Sequence, residues 1–297
     1  MKRAAIMTMM IAIAAAGILA AAFGVRGEPP APPKAAVPHQ VADKYDSPQI
    51  FMEGIYAADR GPQPAAAEAA VVPHHLVAAE SIALGVKAIA ARKPSAIIMV
   101  SPDHFGRCPT VLCTAYVEYA TPLGGVSADA DAVKALSSSP LVTLAPDLFD
   151  GEHGIYAVAP FVARYLPGTK VTPIVISSAH SWKSRKDEIA GLLESILGPD
   201  DALVISSDFS HYLTLEEADK MDESTSKALL TGDLDALENL KQPDQSDCPA
   251  CLWAAAAVAA SRHWQAPGIL MHTNSATLLG DPSAESTTSH FTVVWGR

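Results

Sequence analysis

Clusters of basic residues are missing from this sequence. Its 297 residues include 21 Lys and Arg against 32 Asp and Glu, and the net charge is −11. A protein that binds the nucleic-acid backbone needs clustered Lys and Arg side chains to neutralise the phosphates. The composition therefore argues against nucleic acid as a partner and leaves small molecules, peptides and other proteins.

Several catalytic signatures are also absent. The sequence contains no G-x-S-x-G motif, which carries the nucleophile of many serine hydrolases. It contains neither the G-x-G-x-x-G fingerprint of dinucleotide-binding folds nor a Walker loop. These absences argue against hydrolysis by a Ser–His–Asp triad and against a nucleotide bound through a glycine-rich loop.

The N-terminal segment differs from the rest of the chain. Lys2 and Arg3 precede an uncharged run of 22 residues from Ala4 to Val25, which is typical of an export signal or a membrane anchor. The run exceeds the roughly 7–15 residues of a signal-peptide core and approaches the roughly 20 that span a bilayer. We predict a signal-anchor over residues 1–27, with a signal peptide cleaved near Ala22 as the alternative. Either way, the domain that follows is exported and is membrane-tethered or secreted.

A Pro- and Ala-rich stretch follows this segment. Residues 28–38 read EPPAPPKAAVP and show no hydrophobic period, which is typical of a semi-extended spacer. We therefore predict a linker over residues 28–45 and one domain over residues 46–297. With 49% hydrophobic residues, the chain can bury a large core.

Short apolar runs alternate with helix-length segments from about Ala69 onward. Continuous apolar strands separated by helices are typical of a mainly parallel or mixed sheet with helices on both faces. The predicted fold class is therefore α/β. Further strands are predicted at GILMHT and HFTVVWG, and a helix at CLWAAAAVAASRHW.

Polar side chains follow the predicted strands at the point where each one ends. In open α/β sheets, ligands bind beyond the carboxyl ends of the strands, where residues that are distant in sequence converge. Imidazoles with a carboxylate or thiolate are the ligands of first-row transition metals. The pattern therefore predicts a metal or acid–base site built from the residues after four strands: His74 and His75, Asp103 and His104, His180, and Asp208 and His211.

A series of motifs in order resembles the Memo-like family, also called AmmeMemoRadiSam system protein B. The motifs are VVPHH, VSPDHFG, EYATPLGGV, GEHGIYAVAPFV, ISSDFSHY, DCPAC and NSATLLGD. The resemblance runs from about residue 69 to the C-terminus. It implies a fold similar to class III extradiol dioxygenases, which are non-haem iron enzymes, and a pocket in which two His and one Cys hold a metal.

The resemblance also implies roles for individual residues. The metal ligands would be His74, His104 and Cys248, and the metal would be iron, copper or zinc. The acid–base or supporting groups would be Glu152, His153, Asp208 and His211.

The chain departs from the family pattern at three positions. Val158 replaces a histidine that commonly lies five residues after His153, Tyr156 replaces a glutamate, and Pro249 replaces the glycine after the cysteine. These departures affect the activity that the resemblance implies and leave the implied fold unchanged.

The four cysteines leave alternatives open. An exported domain with an even number of cysteines usually forms disulfides, so a Cys248–Cys251 disulfide competes with the ligand role of Cys248. A redox-active pair is a further alternative, because a helix follows and lowers the pKa of a thiol. Cys108 and Cys113 lie outside the family motifs and are predicted to be structural or bridged.

Three functions follow from these patterns. The leading hypothesis is a metal-dependent oxidoreductase or dioxygenase-like enzyme acting on a small molecule. The first alternative is a non-catalytic module that binds a metal, peptide or small ligand in the same pocket. The second is a thiol redox protein that uses Cys248 and Cys251.

Overall fold

The computed structural model describes residues 37–45 and 47–297. Its α-helices in this part of the chain are α1 (Gln49–Arg60), α2 (Ala79–Arg92), α3 (Ala130–Leu136), α4 (His153–Tyr156), α5 (Ala159–Tyr165), α6 (Lys186–Ile196), α7 (Leu215–Thr231), α8 (Leu234–Glu238), α9 (Pro249–Ser261) and α10 (Ser275–Leu279). Its strands are β1 (His39–Val41), β2 (Ala69–Val72), β3 (Ala96–Pro102), β4 (Leu112–Thr114), β5 (Val117–Thr121), β6 (Gly124–Ser127), β7 (Val142–Leu144), β8 (Lys170–Ile176), β9 (Ala202–Ser206), β10 (His211–Leu213), β11 (Gly268–Asn274) and β12 (Thr287–Trp295).

Most strands form one mixed sheet in the order β10-β12-β2-β9-β3-β8-β4-β7, with β11 also paired to β12. The central strands β2, β9, β3 and β8 run parallel to one another. In contrast, β12 is antiparallel to β2, and β4 is antiparallel to β8. This confirms the predicted α/β class with a mainly parallel or mixed central sheet flanked by helices. Because these four strands are parallel, the segments after them lie at one edge of the sheet.

Helices cover both faces of the central sheet. In β3, Ile97 and Met99 face a core shared with α1, α2 and α5, whereas Ile98 and Val100 face a core shared with α6, α7 and α9. Successive side chains of a strand point to opposite faces. A strand that is buried on both faces therefore has a continuous apolar sequence, which is why the apolar runs predicted the central strands.

A smaller sheet has the order β1-β5-β6. Strand β1 pairs in parallel with β5, with His39 opposite Val117, and Val41 is buried. This strand lies inside the segment 28–45 that the sequence predicts as a linker. Its backbone pairing extends the folded domain upstream of residue 46, and three residues with one buried side chain give too weak a period to reveal a strand.

The predicted signal or anchor, residues 1–27, lies outside the described residues. Within residues 37–45 and 47–297, no helix is both long and apolar enough to cross a membrane. Export and membrane tethering therefore stay predictions.

Candidate metal centre

His74 follows β2 at the edge of the sheet where the parallel strands end. Its ring is buried, and Nδ1 lies 3.0 Å from the hydroxyl oxygen of Ser206, the last residue of the neighbouring strand β9. The backbone N–H of His74 donates to Oδ1 of Asp208 over 3.3 Å. Because Nδ1 is engaged with Ser206, Nε2 is the ring nitrogen left to face the pocket.

His104 follows β3 and is held by Glu152. Its Nδ1 lies 2.5 Å from Oε1 of Glu152, and its backbone N–H donates to Oε2 over 3.1 Å. Glu152 is fully buried and also accepts the backbone N–H of Gly154, which caps the start of α4. These contacts leave Nε2 of His104 3.2 Å from Nε2 of His74. A carboxylate that holds one ring nitrogen while the other faces the site is the usual support of a metal-binding histidine.

A third imidazole comes from His153, the first residue of α4. Its ring centroid lies 3.8 Å from that of His104 and 5.2 Å from that of His74. The close approach of α4 to β3 depends on Gly154, because a Cβ at this position would lie 1.9 Å from Oγ of Ser101. Gly154 therefore lets α4 begin close to β3, and this approach places His153 at the site.

Two carboxylates border the histidines. Asp208, after β9, has Oδ2 3.4 Å from Nε2 of His74 and Oδ1 3.2 Å from Nδ1 of His290. Asp247, before α9, has Oδ2 3.1 Å from Nε2 of His74 and 3.5 Å from Nε2 of His104. Both carboxylates are buried. The two histidines thus have anionic neighbours on the sheet side and on the helix side.

Cys248 departs from the predicted arrangement. It is disulfide-bonded to Cys251, and together with Asp247, Pro102 and Ile176 it lines a separate small cavity. A sulfur in a disulfide offers no thiolate to a metal, so the disulfide alternative is the one present in the structure. The carboxylate of the preceding residue, Asp247, lies beside the two histidines instead. A ligand role of Cys248 in the reduced protein stays a prediction.

His211 lies on the wall of the pocket. It is the first residue of β10, and its Nδ1 lies 2.5 Å from the backbone carbonyl oxygen of Phe209. Together with His74, His104 and Asp208 it lines one cavity of about 640 Å³. The residues after β2, β3 and β9 therefore converge in one cleft.

The other polar residues at the strand ends have different surroundings. Asp103 accepts the backbone N–H groups of Arg107 and Cys108 and so closes the loop after β3. His180 is exposed and bonds the hydroxyl of Ser177. His75 is exposed at the cavity rim. The disulfide between Cys108 and Cys113 joins this same loop to β4.

The pKa values of the histidines diverge because their neighbours differ. Burial opposes protonation of His104, but the carboxylates of Asp247 and Glu152 outweigh it and raise the pKa of His104 to about 10. For His74, burial is likewise outweighed by Asp208 and Asp247, which raise its pKa. Burial and the positive charge of His104 lower the pKa of His153 to about 4. Without metal, neutral pH therefore favours the protonated form of His104 and the neutral form of His153.

The carboxylates are ionised at neutral pH. Burial alone would favour their protonated forms, but the neighbouring histidines outweigh it. Charge from His74 and His290 lowers the pKa of Asp208, and charge from His74 together with the nearby ring of His104 lowers the pKa of Asp247. The negative charges of Asp208 and Asp247 therefore favour a cation beside the two histidines.

Sequence reasoning missed several residues of this site. Asp247 stands directly before the cysteine of DCPAC, and His290 begins HFTVVWG, but neither follows one of the parallel strands. The cavity wall also carries four aromatic rings: Tyr45, Phe105, Tyr156 and Tyr212. Three of them lie within the family motifs, but only Tyr156 was singled out there, as the replacement for a glutamate.

Most of the chain matches one known protein family. A family model described as Memo-like protein matches residues 44–286. The chain belongs to the Memo-like family. The Memo-like match includes every motif on which the resemblance rested and all of the pocket residues described above except His290.

Curated relatives of this Memo-like domain come from archaea and bacteria. A MEMO1 family protein of Caldivirga maquilingensis is 27% identical over 197 residues, which cover 63% of this chain and 68% of the relative. One of Nitrosopumilus maritimus is 24% identical and covers 67% and 73%. One of Aquifex aeolicus is 32% identical over 134 residues, which cover 44% and 49%. Among solved structures, an uncharacterized protein of Escherichia coli K12 has a TM-score of 0.48 and 19% identity, with 76% of this chain and 98% of that chain covered.

Two groups of side chains in the Memo-like pocket have the spacing of metal ligands. In one group, ring nitrogens of His74, His104 and His153 lie within 4.8 Å of one another, and in the other the same limit holds for His74, Asp208 and Asp247. Both groups share His74. Nitrogen and carboxylate oxygen donors suit iron, zinc and copper.

Proposed function

We propose that this Memo-like domain holds a transition metal between His74 and His104 and performs an oxidoreductase or dioxygenase-like reaction on a small molecule. The observation that carries the proposal is the Nε2–Nε2 separation of 3.2 Å between these histidines at the floor of a cavity of about 640 Å³. Two imidazoles whose other nitrogens are held by Ser206 and Glu152 are set to bind one cation.

The metal, when bound, would polarise the substrate or oxygen as a Lewis acid or redox centre. The protein's own groups supply the remaining steps. His153 is neutral at pH 7 because its pKa is lowered to about 4, so its ring can accept a hydrogen bond from a substrate hydroxyl in the cavity and orient that hydroxyl. The aromatic side chains of the wall can pack against a ligand that has an apolar face and so orient it.

Metal content and turnover test this proposal. We expect the purified full-length chain to contain or bind about one Fe²⁺, Cu²⁺ or Zn²⁺ per chain, and His104→Ala to lose it. Oxygen consumption should then be measured with a panel of catechol-like substrates for the wild type and for His153→Gln. We expect His153→Gln to lower turnover while it keeps the metal. A wild-type protein that binds none of these metals would refute the proposal.

One observation favours the non-catalytic alternative. Val158, which replaces a histidine of the family pattern, is fully buried in the apolar core, so one expected proton donor has no polar substitute at its position. A binding module would take up the same metal and a small ligand or peptide without turnover. Saturable ligand binding to the metal-loaded protein, combined with no product from any substrate in the panel, would favour this alternative.

We also propose that the domain lies outside the cytoplasmic membrane. The basic start and the apolar run in the first 27 residues support this location, as do disulfides that persist in oxidising compartments. Cell fractionation with sequencing of the mature N-terminus tests it. A full-length cytosolic protein would contradict export, whereas cleavage near Ala22 would remove only the tether.

A further inference from the structure

Asp247 is placed differently from the other acidic groups of the pocket. Its Oδ2 lies 3.1 Å from Nε2 of His74 and 3.5 Å from Nε2 of His104. Yet this buried oxygen makes no well-aligned hydrogen bond with any described residue. A buried carboxylate oxygen without an aligned donor is costly unless a cation or another ligand completes it.

The three atoms have the spacing of ligands around one metal. Their separations are 3.2 Å between the two Nε2 atoms and 3.1 and 3.5 Å from these to Oδ2. Metal–nitrogen and metal–oxygen bonds of about 2.0–2.2 Å place neighbouring ligands about 3.0 Å apart in an octahedron and about 3.4 Å apart in a tetrahedron. The observed separations of 3.1–3.5 Å lie near the tetrahedral value and slightly above the octahedral one, so small side-chain shifts would bring the three atoms around one metal.

Hydrogen bonds of its other carboxylate oxygen and of its backbone fix the position of Asp247. Its Oδ1 accepts the hydroxyl of Ser207 over 2.7 Å. Its backbone N–H donates to the carbonyl of Asp208 over 3.2 Å, and its backbone carbonyl accepts the side-chain amide of Gln242 over 2.6 Å. One oxygen anchored by a hydroxyl while the other faces the site is the arrangement expected of a ligating carboxylate.

Asp208 is less suited to this position. Its Oδ1 already receives the backbone N–H of His74 and lies 3.2 Å from Nδ1 of His290. Its Oδ2 lies 3.4 Å from Nε2 of His74, on the side of the strands. Asp208 therefore orients His74, and Asp247 is the carboxylate that reaches both histidines.

The geometry points to Asp247, and not Cys248, as the anionic ligand, so that two imidazoles and one carboxylate hold the metal of this chain. The inference rests on the proposed function, because it assumes that the pocket holds a metal. A two-His, one-carboxylate face leaves positions open and is typical of non-haem ferrous sites. It differs from the His/His/Cys set that the family resemblance implies, and it keeps the metal site intact while Cys248 is bonded to Cys251.

Binding of Co²⁺ to the full-length protein tests the assignment. Wild type, Asp247→Asn and the double variant Cys248→Ser/Cys251→Ser are compared, with Asp244→Asn on the preceding loop as a matched control. We expect Asp247→Asn to lose about 100-fold or more in affinity, because losses in the supporting shell alone cost about 10–100-fold. We expect the double cysteine variant and the control to stay within about threefold of wild type.

The spectrum of the Co²⁺ protein supplies a second readout. We expect no thiolate-to-cobalt charge-transfer absorption in wild type, whether or not the disulfide is first reduced. This measurement stands even if Asp247→Asn does not fold. A thiolate band in either state, or an Asp247→Asn protein that binds Co²⁺ as wild type does, overturns the assignment and leaves the proposed function intact. A folded wild type that binds none of Co²⁺, Fe²⁺, Cu²⁺ and Zn²⁺ overturns both.

Discussion

Glu152 offers a direct test of how His104 is prepared for a metal. Three donors face its carboxylate: the ring Nδ1 and backbone N–H of His104, and the backbone N–H of Gly154. Glu152→Gln keeps the shape of the side chain but replaces one acceptor oxygen by an NH₂ group. In its best orientation the amide oxygen takes the place of Oε1, and the NH₂ group then opposes the backbone N–H of His104.

The size of the effect follows from these contacts. A hydrogen bond to a charged group contributes about 1.5–3 kcal/mol and a neutral one about 0.5–1.5, while an unsatisfied buried donor costs about 1–3. We therefore expect Glu152→Gln to lower the free energy of unfolding by roughly 2–4 kcal/mol. Because Glu152 holds a histidine that we propose as a metal ligand, we also expect Co²⁺ affinity to fall about 10–100-fold.

The pH dependence gives this prediction a distinctive sign. With the pKa of His104 at about 10, a proton must leave before the ring can bind a metal, so wild-type affinity rises with pH across the neutral range, by roughly tenfold per pH unit. Removal of the Glu152 charge lowers the pKa of His104 and weakens this proton competition. The affinity of Glu152→Gln therefore rises less steeply, and its deficit is larger at pH 8.5 than at pH 6.5.

The assay is competition for Co²⁺ against a chelator of known affinity at both pH values. Exposed Glu223 provides the matched control, because Glu223→Gln makes the same chemical change away from the pocket. The reasoning is refuted if Glu152→Gln binds Co²⁺ as tightly as wild type at both pH values, or if its deficit does not change with pH.

Two further predictions concern the metal-free domain. The pKa of His104 in the folded protein lies above the ordinary value of about 6.5, so the stability that its protonation contributes is complete below about pH 6.5 and is lost as the pH rises through about 10. The melting temperature should therefore fall between pH 7 and pH 10. A His104→Gln protein that shows the same fall would contradict this cause. Gly154→Ala should destabilise the domain and weaken Co²⁺ binding, because the new Cβ would lie 1.9 Å from Oγ of Ser101. The control is Gly191→Ala in α6, where a Cβ meets nothing within 4 Å. This variant should be neutral or stabilising by about 0.5–1 kcal/mol. Thermal unfolding of both glycine variants checks this, and equal melting temperatures would show that α4 can move away from β3.

The sequence predicted the elements whose local pattern repeats along the chain. Each central parallel strand is buried on both faces and so appears as an apolar run, and the parallel order then requires the residues after β2, β3 and β9 to meet. This logic reached His74, His104, Asp208 and His211 without any contact information. It did not reach β1, because pairing of three residues with β5 is a tertiary event with little local signal.

The same logic could not choose between neighbouring residues on a loop. Asp247 and Cys248 lie at the start of α9, outside the strand ends, and their side chains point in different directions because the backbone there has neither the period of a strand nor that of a helix. Whether a thiolate or a carboxylate faces the histidines depends on two bonds that are set by the tertiary structure: the Cys248–Cys251 disulfide and the Ser207–Asp247 hydrogen bond. In an oxidising compartment the first bond removes the thiolate. A carboxylate one residue earlier then keeps an anion beside the two histidines, so the proposed cation site does not require a reduced cysteine.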